Sequence, residues 1–177
     1  MSVNRGKQFE DIIQKAMEEV KDTVVVRLHD QTTGFAGSKN PCDYVVFHSP
    51  LFYAIECKSV HGNTLPFSNI TDYQWQSLLE MSNNSNVVAG ILCWWVDKDV
   101  TRFIPIQVLE YLHQHGDKSI RYDCDFFCEK LTKAGWSIHP IIDIRGMKKR
   151  VFFDYDMDKF FADAERIDLN SWQTEKT

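Results

Sequence analysis

Two apolar segments flanking Ser49-Pro50 constrain this chain more than any other feature. Asp43 to Phe47 and Leu51 to Lys58 are rich in β-branched and aromatic residues, which suit the pleated, packed surface of a sheet. With an even loop centred on Ser49-Pro50, His48 opposes Leu51, and by the same count Asp43 opposes Glu56. Side chains alternate along a strand, so Lys58 shares the face of Glu56. The rest of that face is Val45, Phe47, Phe52 and Ala54, and the other carries Tyr44, Val46, Tyr53 and Ile55. Two apolar faces are expected of central strands. An odd loop would shift the register by one and part the two acids.

Other elements follow from periodicity. Phe9, Ile12, Ile13, Ala16, Met17 and Val20 recur at helical spacing, which predicts an amphipathic helix over Arg5 to Lys21. Val24 to Val26 reads as a short strand, Asp30 to Pro41 as a loop, and Ser59 to Asn69 as a polar connection. A helix over about Thr71 to Ser82, a buried strand Val87 to Val96 and a strand Thr101 to Pro105 come next. Helices are expected over Ile106 to His115, ending at Gly116, and over Asp123 to Ala134 with Gly135 as C-cap. A strand from Trp136 to Ile141, a strand Val151 to Phe153 and a short acidic helix end the chain. This order implies an α/β sheet with helices packed on it.

Composition narrows the function classes. A chain of 177 residues with 44% hydrophobic and 13% aromatic residues can bury a core and is not globally disordered. No apolar run approaches the ~20 residues of a membrane helix. Met1 to Glu19 shows no signal peptide, so a cytoplasmic protein is expected, in a bacterial or phage-infected cell, with its five cysteines as free thiols. The formal charge of −5 argues against a uniformly basic nucleic-acid binder. Residues 151–177 carry seven acids against three bases, so −4 of that charge lies in the tail. The expected organisation is therefore a core over 1–150 and an acidic appendage, 151–177, packed on the same domain.

Two carboxylates facing each other on an apolar hairpin repel unless they are protonated or bridged by a cation. Hard oxygen donors suit Mg²⁺ or Mn²⁺, which keep positions for water and phosphate oxygens. The plainer alternative makes Glu56 and Lys58 the exposed end of a strand, with Asp43 a turn residue.

With Pro41-Cys42-Asp43 before Glu56-Cys57-Lys58, the chain resembles the PD-(D/E)xK nuclease superfamily, and within it the RecU-type Holliday junction resolvases. Cys42, inserted between the proline and the aspartate, departs from the pattern only by displacing the proline, which is not a ligand. Further likeness lies in Asn4-Arg5-Gly6 with Phe9-Glu10, in Leu65 to Ile70 followed by Tyr73-Gln74, and in Phe103-Ile104-Pro105. It spans roughly residues 4 to 112. The loop Asp30 to Asn40 is shorter than the junction-engaging stalk of those enzymes.

The resemblance implies a restriction-endonuclease-like mixed β-sheet core flanked by helices. It also implies a Mg²⁺-dependent endonuclease, with Mn²⁺ able to substitute, acting as a homodimer on four-way or other branched DNA. Asp43, Glu56, Lys58 and Gln74 would be catalytic. Asp43, Glu56, the Cys57 backbone carbonyl and Glu10 would hold the metal. Arg5, Arg27, Thr32, Lys39, Lys148, Lys149 and Arg150 are candidate DNA contacts. A nuclease on duplex or single-stranded DNA, or a catalytically silent DNA-binding module, are the alternatives. Zinc at His113, His115, Cys124 and Cys128 fits no common spacing. Trp75, Trp94 and Trp95 read as packing aromatics, and the acidic tail as a solvated helix face.

Overall fold

The hairpin forms in the expected register. In the computed structural model, which describes residues 5–28, 40–123, 125–133, 140–148 and 153–167, β2 (Tyr44–His48) pairs antiparallel with β3 (Leu51–Val60). Tyr44 faces Ile55 and His48 faces Leu51 across a turn with a cis Ser49-Pro50 peptide. Asp43 sits just before β2, and its backbone N–H donates to the Ile55 carbonyl at 3.1 Å. The ladder thus runs one residue past the strand end, setting Asp43 against Glu56.

β1 (Thr23–Arg27) pairs antiparallel with β2 on one side of this hairpin. On the other, β5 (Val87–Trp95) runs parallel to β3, and β6 (Val100–Pro105) is antiparallel to β5. With β8 (Ile142–Asp143) the described strands form a six-stranded mixed sheet in the order β1-β2-β3-β5-β6-β8. Strands β4 (Thr64–Pro66) and β7 (Ser119–Arg121) form one small antiparallel pair, and β9 (Gly146–Lys148) and β10 (Phe153–Tyr155) another. Gly90, in the middle of β5, lets β6 come close, because a Cβ there would strike the Ile104 carbonyl and the Phe103 ring.

Helices cover both faces, giving the mixed α/β architecture with a helix-flanked sheet. On one face, α1 (Arg5–Glu18) buries Phe9, Ile13 and Met17 against Tyr44, Val46, Tyr53 and Ile55. α5 (Met157–Ala164) adds Met157, Phe160 and Phe161 to that core. The opposite core takes α2 (Asp72–Met81), α3 (Ile106–Gln114) and α4 (Asp125–Lys133), with Trp75, Leu78, Leu109, Leu112 and Leu131 packed on Ala89, Ile91, Cys93 and Trp95. No helix among the described residues is long and apolar enough to cross a membrane.

Several boundaries differ from expectation. The first helix stops at Glu18, because the chain turns through Asp22 in a left-handed conformation (φ 58°) to enter β1. The polar stretch after Lys58 contains the end of β3 and all of β4, whose Leu65 is buried. A strand over Trp136 to Ile141 is not found where described: Pro140 and Ile141 precede β8, which starts at Ile142. Residues 136–139, Gly135, Val151 and Phe152 lie outside the described residues. The acidic helix is more than a solvated face, since its aromatic side is core while Asp158 is exposed. Phe52, expected to be packed, is 48% exposed beyond the cover of α2.

Candidate active site

The side chains gathered on one face of β3 come from three elements. β3 supplies Glu56 and Lys58 two residues apart, the segment before β2 supplies Asp43, and α2 lays Gln74 over Glu56. Glu56 is 3% exposed, although carboxylates are seldom buried unless paired. Its Oε1 accepts from Lys58 Nζ at 2.8 Å and from Gln74 Nε2 at 2.6 Å. Its Oε2 is buried with no hydrogen-bond partner among the described residues. Burial first, then the Asp43 charge, push the Glu56 carboxyl up to about 7, opposed by Lys58.

The Asp43 carboxylate accepts the Cys57 backbone N–H at 2.7 Å, so a side chain supplies the bond next in the ladder. Cys57 itself faces the other core and is buried, which raises its thiol pKa. Cys42 is buried as well, with Sγ donating to the Tyr44 carbonyl at 3.3 Å. Burial and the Glu56 and Asp43 charges push that thiol up to about 12.

Gln74 owes its position to helix capping. Thr71 Oγ1 accepts the Gln74 backbone N–H at 3.2 Å, while Gln74 Oε1 accepts the Thr71 N–H at 3.1 Å. This reciprocal capping box leaves the amide oxygen occupied and turns Nε2 toward Glu56. Thr71 is the positioning residue that the sequence reading missed. Its signal was present, since Thr71-Asp72-Tyr73-Gln74 has the capping-box spacing at the start of a helix.

Glu10 approaches from α1 on the opposite face. Burial and then the Asp43 charge raise its pKa, while Arg27 lowers it. Arg27 binds Glu10 at 2.5 Å and Asp11 at 2.6 Å and lies 5.7 Å from the Tyr44 ring centroid. This expected DNA contact is thus already held by two carboxylates. Arg5 opens α1 and is exposed. Lys148 ends β9, and its side chain, with Thr32, Lys39, Lys149 and Arg150, lies outside the described residues.

Among the described residues, no group of three or more His, Cys, Asp or Glu side chains is arranged to hold a metal ion. The smaller donor set still fits a hard cation that keeps several of its waters. The Asp43 charge raises the affinity of the Glu56 carboxyl for a proton, and the buried Glu56 Oε2 has no partner among the described residues. The packing aromatics are as expected: Trp95 is fully buried, and Trp75 is 8% exposed with Nε1 donating to Glu110 at 2.7 Å.

No protein-family model matches the chain. No curated protein matches it either. Among solved structures it is similar to Hjc, a Holliday junction resolvase from the archaeal hyperthermophile Archaeoglobus fulgidus. The two share 19% identity with a TM-score of 0.41, over 59% of this chain and 75% of that one.

Proposed function

We propose that this chain is a metal-dependent DNA endonuclease that hydrolyses phosphodiester bonds in branched DNA, a Holliday junction resolvase of the RecU type. The observation that carries this reading is the convergence of Asp43, Glu56 and Lys58 on one sheet face, with Glu56 Oε2 buried and unpartnered. The Cys57 N–H that Asp43 accepts calls for an oxygen but not for a second negative charge beside a buried carboxylate.

In this mechanism Asp43 and Glu56, with the Cys57 backbone carbonyl, hold Mg²⁺ or Mn²⁺, and Glu10 adds negative charge from α1. The ion would polarise the scissile phosphate and lower the pKa of its water. Lys58 as ammonium orients the attacking water or, where its amine is free, takes the water proton and becomes the ammonium that offsets charge gathering on the phosphate. Gln74 acts as a positioning residue, holding Glu56 Oε1 and leaving Oε2 as the donor that a cation would use. Asn or Gln at the acid positions would remove the charge and keep the shape. Arg5, Lys148, Lys149 and Arg150, with Thr32 and Lys39, would meet the phosphate backbone. Two symmetric cuts in one junction need two such sites, which a homodimer supplies.

The test is cleavage of a labelled four-way junction, a linear duplex and a single strand, with Mg²⁺ or with EDTA. Paired Mg²⁺-dependent nicks in the junction alone are expected. Duplex cutting would replace the resolvase reading with a restriction- or repair-type nuclease, and binding without cutting in any substrate would refute the enzyme.

A further inference from the structure

A second concave site lies beside the first turn of α2, on the side away from Glu56. It is a groove of 740 Å³ between that turn, the Phe67–Asn69 3₁₀ turn and α3. This is within the range of small-ligand and peptide sites. Its wall is aromatic. The Trp75 and His113 rings meet edge to face at 5.4 Å, Phe67 lies 5.5 Å from Trp75, and Tyr73 at the rim is 44% exposed.

Beside Ser68, Thr71, Gln76 and His113, the groove carries two carboxylates. Glu110 accepts from Trp75 Nε1 and from Gln114 Nε2, each at 2.7 Å, so its carboxylate is fixed by neutral donors. Asp72 stands at the start of α2, where the helix dipole favours it. No Lys or Arg is among the described lining residues, and neither Glu110 nor Asp72 makes an ion pair with a described residue. Two carboxylates without a cationic partner among the described residues, set beside aromatic rings, repel phosphate and attract a cation. A guanidinium fits best, because it lies flat on an aromatic face while its N–H groups pair with a carboxylate.

We propose that this groove docks an arginine-bearing segment of a partner protein. The proposal stands apart from the nuclease reading, since none of its residues touches Glu56. Thr71 nonetheless lines the groove and caps Gln74, so the docked segment would sit one residue from the side chain that holds Glu56.

The test uses the full chain and fluorescein-labelled peptides of sequence Gly-Arg-Gly-Arg-Gly, with Glu in place of Arg as the control. Anisotropy should show binding of the arginine peptide only, weakened by salt and at least tenfold by Glu110→Gln, which retains an acceptor for Trp75 Nε1. His113→Lys, a change at an exposed position, should weaken it similarly and covers the case of a misfolded Glu110→Gln protein. Equal binding of both peptides, no binding at millimolar peptide, or undiminished binding by the folded variants would overturn the proposal.

Discussion

Asp43 and Cys57 are joined by a side chain acting as backbone: the aspartate carboxylate takes the Cys57 N–H at 2.7 Å, where the hairpin ladder would otherwise end. The bond fixes β3 at the residue between Glu56 and Lys58. Asp43 therefore has a structural duty that can be separated from its charge.

Asp43→Asn keeps an acceptor for that N–H, and Asp43→Ala does not. Both variants should lose junction cleavage. Only the alanine variant should also lose stability, by about 1–2 kcal/mol, in urea unfolding without metal. Cleavage by folded Asp43→Asn at the wild-type rate would sink the catalytic assignment.

Glu56 makes the metal-free protein sensitive to pH. Its folded pKa of about 7 lies above the ordinary 4.5, so the folded state binds more protons than the unfolded state between those values. Its contribution to stability is complete below about 4.5, falls as pH rises, and is lost above about 7. The melting temperature in EDTA should drop across that window, by ~2–4 °C for each kcal/mol in a chain of this size. Glu56→Gln should flatten this part of the curve, and Mg²⁺ should raise the wild-type melting temperature more at pH 8 than at pH 5.

Lys58 holds a positive charge 2.8 Å from Glu56 Oε1. Lys58→Ala should cut cleavage by ~100-fold or more, the usual scale for a lost proton-transfer group. Removing a cation next to a cation site should also tighten Mn²⁺ binding. Calorimetry showing weaker Mn²⁺ binding in the variant would mean that Lys58 is not directed at the metal side of the cluster.

Thr71→Ala should weaken α2 by about 1 kcal/mol through the lost cap. It should also lower kcat, because Gln74 would keep its bond from the residue 71 backbone N–H but lose both contacts with the Thr71 hydroxyl, and so be held less firmly over Glu56. Thr71→Ser should restore both. A stability loss with kcat unchanged would confine Thr71 to helix capping.

Much of this was legible in the sequence for local reasons. The hairpin register followed from period-2 alternation around a two-residue connection, and with it came the juxtaposition of Asp43 with Glu56 and Lys58. The parallel pairing of β3 with β5 was not legible, because it depends on how the crossover through α2 returns the chain. The same crossover places Gln74 over Glu56, so the sequence suggested the glutamine without its geometry. The pairing of Arg27, a candidate DNA contact, with Glu10 and Asp11 was not legible, because those acids lie on a helix brought there only by tertiary packing. The appendage was expected to pack on the domain, but the depth of Phe160 and Phe161 in the core was not legible, because which side of so short and acidic a helix turns inward is set by tertiary packing.

The capping box has a consequence for which residue can occupy position 74. A helix start of this kind accepts Glu or Gln at its third position, since either offers an oxygen to the Thr71 N–H. Glu56 makes the opposite demand, for a donor on the far side of the same group. Glutamate would satisfy the helix and set a third negative charge against a carboxylate that is already hard to ionise. Of the two residues the helix permits, only the amide, with an acceptor at one corner and a donor at the other, also satisfies Glu56.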